Sequence, residues 1–171
     1  MVLSREELEH KIKEENLITN YIDLETQITP QGFDLTVEKI EKYREKGKLD
    51  FSNSERKIPE TEKVEPEKKS SEDDYGWYKL EKGAYKVTMN EKVDIPNNLT
   101  GFAYPRSSLL RMGCSIENAV WDAGYTGTGS FMLVVENQEG VEIKENARVN
   151  QLVFVEMNET EEGYSGRYHE E

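Results

Sequence analysis

The chain is organised around residues 105–125, which read Pro-Arg-Ser-Ser-Leu-Leu-Arg-Met-Gly-Cys-Ser-Ile-Glu-Asn-Ala-Val-Trp-Asp-Ala-Gly-Tyr. The first part of this stretch places two cations and two hydroxyls within six residues, namely Arg106, Ser107, Ser108 and Arg111. Such a set suits anionic oxygens, because guanidinium groups hold several N–H donors in a fixed fork. A surface loop with ordinary charges is an equally open interpretation of these residues.

The second part of the stretch places an acid where a strand meets a turn. An apolar run, residues 119–121, leads to Asp122, then to the turn signal Ala-Gly and to Tyr125, with Gly127 and Gly129 just beyond. A donor cluster facing a carboxylate suits a nucleotide polyphosphate attacked by an activated water molecule. The alternative is a hairpin that carries no chemistry.

Composition limits the possible functions of the chain. Its 171 residues suit a single domain, residues 1–171, that is long enough to bury a core. The net charge of -13, from 22 basic and 35 acidic side chains, disfavours nucleic acid as a partner. The single cysteine, Cys114, excludes an intramolecular disulfide and a multi-cysteine zinc site. No signal peptide or membrane span is recognisable, so we expect a cytoplasmic protein with no membrane partner.

Short apolar segments separated by turn signals predict an all-β protein with one N-terminal helix. Ser4 followed by Glu7 is a capping-box pattern, and the apolar stripe behind it predicts a helix over about residues 5–16. Strands are predicted around residues 35–37, 82–89, 92–96, 99–104, 130–136, 141–144 and 148–156. Many short strands at similar spacings favour a β-barrel or a jelly roll.

Two segments do not follow the pattern of short strands. Residues 41–74 are rich in Lys, Glu, Ser and Pro, which predicts a charged insertion, partly disordered or a loose hairpin, that adds little to the core. Residues 161–171 place two tyrosines and an arginine between glycines without a packing pattern. They are expected to form either a mobile lid or a frayed chain end.

Five segments, in this order, resemble the motifs of the dUTPase and dCTP deaminase superfamily, in particular those of its archaeal members. They are Gly-Phe-Asp-Leu at residues 32–35, Pro-Arg-Ser-Ser-Leu-Leu-Arg at 105–111, Trp-Asp-Ala-Gly-Tyr-Thr-Gly at 121–127, Arg-Val-Asn-Gln-Leu-Val-Phe at 148–154 and Gly-Tyr-Ser-Gly-Arg-Tyr at 163–168. The last segment is similar to the tail of the deaminase-like branch and lacks the glycine-rich pattern of the usual dUTPase lid. Five ordered segments are a far stronger signal than any one of them.

The resemblance implies a distorted jelly-roll or β-barrel of the dUTPase type, assembled as a homotrimer with shared active sites. It implies hydrolysis of dUTP to dUMP and pyrophosphate at the α–β phosphoanhydride. Mg²⁺ would bridge the phosphates, with Asp34 touching only the waters of the metal. Asp122 would activate the attacking water, and Tyr125 would pack against the deoxyribose. The residues implied to bind the nucleotide are Arg106, Ser107, Ser108, Arg111, Asp122, Tyr125, Gln151, Tyr164 and Arg167, of which Arg111 and Asp122 would be catalytic.

One position separates the branches of this superfamily. The resemblance implies that a deaminase of this superfamily has a catalytic Glu on the strand after the nucleoside hairpin. In this sequence that position holds Val134. A valine cannot move protons between water and the cytosine amino group, and Glu136 would need a shift in register to replace it. We therefore expect a dUTP diphosphatase. The alternatives are a dCTP deaminase, a bifunctional deaminase and diphosphatase, and a non-catalytic nucleotide-binding relative.

Overall fold

A computed structural model describes residues 1–169 and shows a mostly β protein with one N-terminal helix. This helix, α1, spans Arg5–Glu15. The Ser4 side chain accepts a hydrogen bond from the Glu7 backbone, and the Glu7 side chain accepts one from the Ser4 backbone. The predicted capping box is therefore confirmed. Leu8 and Ile12 are buried, so the apolar stripe of α1 faces the core.

The other described elements are short strands and two short helices. In chain order they are β1 (Ile18–Thr19), α2 (Leu24–Gln27), β2 (Phe33–Tyr43), β3 (Thr61–Lys63), β4 (Trp77–Leu80), β5 (Gly83–Met89), β6 (Lys92–Asp94), β7 (Leu99–Pro105), α3 (Ser107–Arg111), β8 (Cys114–Glu117), β9 (Thr126–Gly127), β10 (Ser130–Val135), β11 (Val141–Lys144) and β12 (Arg148–Glu156). The predicted all-β fold class is confirmed. No helix within the described part of the chain is long and apolar enough to cross a membrane.

The main sheet has the strand order β7-β12-β2-β5-β10-β8, and β3 joins it by pairing with β2. All these pairings are antiparallel. Neighbouring strands such as β7 and β12 are distant in sequence, as in a jelly roll and unlike a simple meander. Smaller sheets, β1-β6-β9 and β11-β4, complete the β structure.

The long strand β2 connects two regions of the main sheet. Its first part pairs with β12, and its later part pairs with β5 beyond an irregularity between Val37 and Lys39. Such a bulge bends a strand and increases its twist. Residues 33–37 are all buried, so both faces of this part of β2 lie inside the protein. Asp34 is therefore an interior residue.

The charged segment, residues 41–74, begins as a hairpin that extends the main sheet. β2 runs on to Tyr43, Lys48 and Lys57 form an isolated bridge, and β3 returns beside the end of β2. Phe51, near the tip, is fully exposed, as expected for a segment that adds little to the core. Backbone pairing gives this hairpin its form, because exposed ion pairs such as that of Lys48 with Glu55 stabilise a fold by less than about 1 kcal/mol.

Several short elements were not predicted from the sequence. The helices α2 and α3 have four and five residues, too few to show a 3.6-residue periodicity. The strand β8 follows Gly113, whose φ of 78° lies in the left-handed region that favours glycine. Residues 105–125, for which a surface loop followed by a hairpin was one of two interpretations, thus contain a helix, a turn and a strand before the hairpin begins.

Candidate active site

The first group of predicted site residues gathers around the N-terminal end of α3. We call Arg106, Ser107, Ser108, Arg111 and Gln151 the cationic cluster. Both serines are exposed, and Arg111 is also exposed, with its Nη1 donating to the Ser107 carbonyl at 3.0 Å. Gln151 comes from β12, where it pairs with Tyr104 of β7 and with Asp34 of β2. The antiparallel sheet therefore joins two motifs that begin 43 residues apart in the sequence.

Asp34 lies at the centre of the cationic cluster. It is 1% exposed, and its Oδ2 accepts contacts from Arg106 Nε at 2.8 Å and from Arg148 Nη1 at 3.3 Å. Its Oδ1 accepts a hydrogen bond from Gln151 Nε2 at 3.4 Å. Burial raises the pKa of the Asp34 carboxyl above its ordinary value, and the two guanidinium groups and Gln151 offset part of that rise.

Backbone carbonyls fix the two arginines further. Arg106 Nη1 donates to the carbonyl of Arg148 at 3.2 Å, and Arg148 Nη1 donates to the carbonyl of Thr26 at 2.5 Å. The two side chains are 31% and 33% exposed, so each guanidinium is held from inside the protein and still reaches the surface. Arg148 stands in a quoted motif, but its contact with Asp34 could not be inferred from the sequence.

The second group of predicted site residues belongs to residues 121–130, which we call the glycine hairpin. Trp121 anchors it, because its backbone N–H and C=O both exchange hydrogen bonds with Gly101 of β7, at 3.0 and 2.9 Å. The indole lies over Gly129, where a Cβ atom would come within 2.0 Å of the ring. Gly124, with φ of 78°, forms the turn in which Tyr125 N–H donates to the Asp122 carbonyl at 3.1 Å.

A pocket of about 570 Å³ opens beside the glycine hairpin. Asp122 and Tyr125 both line it. Asp122 is exposed, and its carboxylate makes no hydrogen bond or ion pair with any other residue in the range 1–169. Tyr125 is 9% exposed and its ring meets Trp121 edge-on, with 5.7 Å between the ring centroids. An unpaired carboxylate on an open pocket can accept a proton from a bound water molecule.

The tail packs against the glycine hairpin of its own chain. Tyr164 N–H donates to the Ala123 carbonyl at 2.8 Å, and its ring meets Tyr125 edge-on at 5.5 Å. Gly163 lies so close that a Cβ atom at Gly124 would be 2.7 Å from its Cα. Tyr164 therefore lines the pocket, whereas Arg167 is exposed and is not among the lining residues. Residues 170–171, the end of the predicted lid, lie outside the described residues.

The cationic cluster and the glycine hairpin lie at opposite ends of β7. Trp121 is bonded to Gly101 near the start of β7, whereas Arg106 directly follows its last residue. Since a strand rises about 3.3 Å per residue, five residues separate these points by roughly 16 Å. No residue of the cationic cluster is among those that line the pocket. One copy of the chain therefore does not bring the two predicted halves of the site into a single cavity.

Comparison with known proteins identifies the family. The sequence model of the family described as dCTP deaminase-like matches residues 2–157. This chain belongs to that family. The "Probable deoxyuridine 5'-triphosphate nucleotidohydrolase" of Methanosarcina acetivorans is 50% identical over 91% of this chain and 88% of its own length. The protein of the same name from Methanosarcina mazei is 48% identical over 99% and 97%. The "Deoxyuridine 5'-triphosphate nucleotidohydrolase" of Methanocaldococcus jannaschii is 41% identical over 90% and 95%.

Comparison with solved structures supports the fold. The 2'-deoxycytidine 5'-triphosphate deaminase from Agrobacterium tumefaciens superposes with a TM-score of 0.65 at 19% identity. The match covers 92% of this chain, which spans about half (48%) of the deaminase chain. At this identity the likeness concerns the fold alone. It agrees with the jelly-roll or barrel fold predicted from the motifs.

Val134, the residue at the position where a deaminase is expected to place its catalytic Glu, is half-buried. Val134 lies on β10, opposite Ala84 of β5 and Ser115 of β8. Glu136, the acid considered in its place, follows the end of β10 and pairs with Lys82 at 3.1 Å. Neither residue lines the pocket that holds Asp122. The register of β10 therefore gives no support to a shift that would bring Glu136 into this pocket.

The charged hairpin contributes a wall to the pocket that sequence reasoning did not anticipate. The pocket is lined by Tyr43, Ile58, Pro59 and Thr61 as well as by residues of the glycine hairpin. One feature of the sequence could have indicated this contact. Ile58-Pro59 is an apolar pair in a segment otherwise dominated by charged residues. The pocket is therefore framed by residues from both a matched motif and an unmatched insertion.

Proposed function

We propose that this protein hydrolyses dUTP to dUMP and pyrophosphate. Its relatives at 41–50% identity carry the name deoxyuridine 5'-triphosphate nucleotidohydrolase over about nine-tenths of the chain. One observation carries the proposal. The protein has both a pocket carboxylate, that of Asp122, without an ion-pair partner within residues 1–169, and a separate cluster of oriented cations. A polyphosphate needs the cations, and a water attack needs the carboxylate.

The two halves have different tasks in this proposal. Asp122 takes a proton from the water that attacks the α-phosphorus, as the bond to the bridging oxygen of the β-phosphate breaks and pyrophosphate leaves. Arg106, Arg111 and Gln151, with the hydroxyls of Ser107 and Ser108, hold the phosphate oxygens and offset the charge on the leaving group. The charge of the bound triphosphate is thus met by a local cation cluster within an acidic protein.

The glycine hairpin holds the nucleoside in this proposal. Tyr125 packs against the deoxyribose, where a 2'-hydroxyl would lack space, and backbone groups of residues 123–127 read the uracil edge. Tyr164 and Arg167 of the tail close over the nucleotide. The contact between Tyr164 and Tyr125 supports a tail that closes on the same hairpin that binds the base.

The assembly proposed is a homotrimer with shared active sites. The two halves lie at opposite ends of β7 in one copy, so a cationic cluster from a neighbouring copy completes the pocket that contains Asp122. Phe102 and Tyr104 on β7 are 39% and 61% exposed, which leaves apolar surface for contact between copies.

Magnesium fits the proposed reaction, but residues 1–169 of one chain do not provide a site for it. They contain no group of three or more His, Cys, Asp and Glu side chains that could hold a metal ion. Asp34, the predicted partner of the metal's waters, is buried and bound by two guanidinium groups. We propose that Mg²⁺ enters on the phosphate oxygens of the nucleotide, and we assign no step of the reaction to it.

Two assays test this function. The full-length protein with Mg²⁺ is incubated with dUTP, and the products are separated by chromatography. We expect dUMP and pyrophosphate, whereas dUDP with inorganic phosphate, or no turnover, would overturn the proposal. With dCTP we expect no ammonia, because Val134 cannot move protons; ammonia above background would assign a deaminase activity.

A further inference from the structure

The role of Asp34 follows from the groups that surround its carboxylate. Oδ2 contacts Arg106 Nε at 2.8 Å and Arg148 Nη1 at 3.3 Å, and Oδ1 accepts from Gln151 Nε2 at 3.4 Å. The side chain is 2% exposed. Both oxygens are thus occupied by donors, and two of these donors are cations that would repel a hydrated divalent ion.

The geometry points to Asp34 as a positioning residue: we propose that it orients Arg106 and Gln151 toward the phosphates and does not bind the waters of a metal ion. This inference rests on the proposed function, since it takes these two residues as polyphosphate ligands. It adds to that function how Arg106 and Gln151 are held in place.

Arg106 shows what this orientation achieves. A guanidinium group has five N–H donors, and here Nε–H goes to Asp34 and one Nη1–H goes to the Arg148 carbonyl at 3.2 Å. The other three donors remain for a ligand on a side chain that is 31% exposed. Because the inner edge of the guanidinium is fixed, the outer edge is presented in one orientation before any anion arrives, which reduces the entropy lost on binding.

Gln151 is held in the same way. Its Nε2 donates to Asp34 Oδ1 and to Thr29 Oγ1, at 3.4 and 3.1 Å. The Asp34 carboxylate thus lies between the arginine that follows β7 and the glutamine of β12. Displacing it would release ligands that come from both strands.

The backbone carbonyl of Asp34 is bonded to a buried polar network. Gln27 Nε2 donates to the Asp34 carbonyl at 2.9 Å and to Glu91 Oε1 at 2.7 Å, and Gln27 Oε1 accepts from the backbone N–H groups of Ile22 and Asp23. Gln27 and Glu91 are 2% and 0% exposed. Every polar atom of the Gln27 amide is therefore bonded, which gives the residue one orientation.

Metal-free binding is the measurement that separates the two roles of Asp34. The binding of inorganic tripolyphosphate to the full-length protein is measured by calorimetry in the presence of EDTA, for the wild type and for Asp34→Asn. We expect the variant to bind about tenfold more weakly or worse, because the charge-assisted contact that orients Arg106 is lost. Unchanged metal-free binding would overturn the inference, as would failure of the wild type to bind.

Kinetics give a second readout that a merely structural role would not produce. For Asp34→Asn we expect KM for dUTP to rise more than kcat falls, with the Mg²⁺ concentration for half-maximal rate within about twofold of the wild type. A rise of about tenfold in that concentration would identify Asp34 as a metal-water ligand and overturn the inference. If dUTP is not hydrolysed at all, the proposed function fails, while the calorimetry still tests Asp34.

A double-mutant cycle tests whether Asp34 acts through Arg106. Adding Asp34→Asn to Arg106→Ala should weaken tripolyphosphate binding by a smaller factor than Asp34→Asn does in the wild type, since Gln151 is then the only proposed ligand left to orient. Fully additive losses of tripolyphosphate affinity would show that Asp34 does not act through Arg106. Asp23→Asn is the matched control, because asparagine also caps α2 and the residue lies outside the cluster.

A second substitution covers the case in which Asp34→Asn does not fold. Asp34→Glu keeps a negative charge between the two arginines but moves the carboxylate by one methylene group. A weaker metal-free tripolyphosphate affinity, by about threefold or more, is expected if orientation matters. Wild-type affinity in a folded Asp34→Glu variant would overturn the inference.

Discussion

The cationic cluster and the glycine hairpin are stabilised by different interactions. The cluster depends on charge, because the buried carboxylate of Asp34 fixes Arg106 and Arg148 from strands that are remote in sequence. The hairpin depends on shape, since Gly129 lets the indole of Trp121 lie against the backbone. In the proposed site, the first region would hold phosphate ligands in fixed orientations, and the second would bind the nucleoside in a turn shaped by packing.

The same contrast applies to the two acids of the site. Asp34 is buried and paired with cations, whereas Asp122 is exposed on the pocket and is unpaired within residues 1–169. Asp34 is poorly placed to act as the base, because it is buried and both of its carboxylate oxygens already accept from donors of the protein. An unpaired carboxylate beside bound substrate is able to take the proton. These two environments support the proposals that Asp34 positions phosphate ligands and that Asp122 takes the proton.

The largest expected effect is the loss of the base. Asp122→Asn keeps the size of the side chain but removes its proton acceptor. We expect kcat for dUTP to fall by ~10²–10⁴, with nucleotide affinity within about tenfold of the wild type. Steady-state kinetics and calorimetry with a non-hydrolysable dUTP analogue measure the two quantities. Retained turnover would show that another group activates the water.

The second prediction tests whether the two halves come from different copies. Asp122→Asn and Arg106→Ala are each expected to be nearly inactive. Co-expressed and assembled at random, they should recover about a quarter of wild-type activity, because that share of the sites draws both intact halves. Activity no greater than the sum of the two separate variants would mean that each chain supplies a whole site.

The third prediction concerns the shape of the hairpin. A Cβ atom in Gly129→Ala would lie 2.0 Å from the Trp121 ring, so the ring or the turn must move. Forcing extra volume into a packed site costs ~1–3 kcal/mol of unfolding free energy. Urea denaturation measures this cost. KM for dUTP should rise, while metal-free tripolyphosphate binding, which reports on the cationic cluster, should stay unchanged. Equal losses in both would break the distinction between the two regions.

How much could be predicted from the sequence differs between the two regions. Asp122, Gly124 and Tyr125 lie within four residues, so a local motif contains the turn and its site groups. The role of Asp34 depends on Arg148, which is 114 residues away and meets it only through the pairing of β2 with β12. A charge that is buried in the fold leaves no local pattern, so the sequence could identify Asp34 but not its partners.

The same reasoning explains the elements that were missed. The Ser4 and Glu7 cap was predicted because both hydrogen bonds lie within four residues. The wall that Ile58 and Pro59 add to the pocket was not, because the hairpin reaches the pocket through the pairing of β2 with β5 and with β3 in the main sheet. Contacts made through tertiary folding need the sheet order, which single-sequence patterns do not give.

The smallest expected effect is on how the free energy of unfolding depends on pH. It concerns Glu91, which is linked through Gln27 to the backbone of Asp34. Glu91 is 0% exposed, and burial raises the pKa of its carboxyl above the ordinary value of 4.5, with the donors of Thr36 and Gln27 offsetting part of the rise. A carboxyl group with a raised pKa binds its proton more tightly when folded. Its contribution to stability is therefore complete below the unfolded-state pKa and is lost as the pH rises through the folded-state pKa.

Glu91→Gln removes this titrating group. The difference in unfolding free energy between wild type and variant therefore reports the pH-dependent contribution of the Glu91 carboxyl. We expect that difference, wild type minus variant, to decrease as the pH rises above about 4.5, by at most about 1.4 kcal/mol per pH unit, because one proton is involved. Urea denaturation over a pH series measures it. Tyr125→Phe in the glycine hairpin removes no carboxyl group and should not show this decrease over the same pH series. A constant or increasing difference for Glu91→Gln would mean that the donors around Glu91 outweigh its burial, and that the region around Glu91 is no more sensitive to pH than the hairpin.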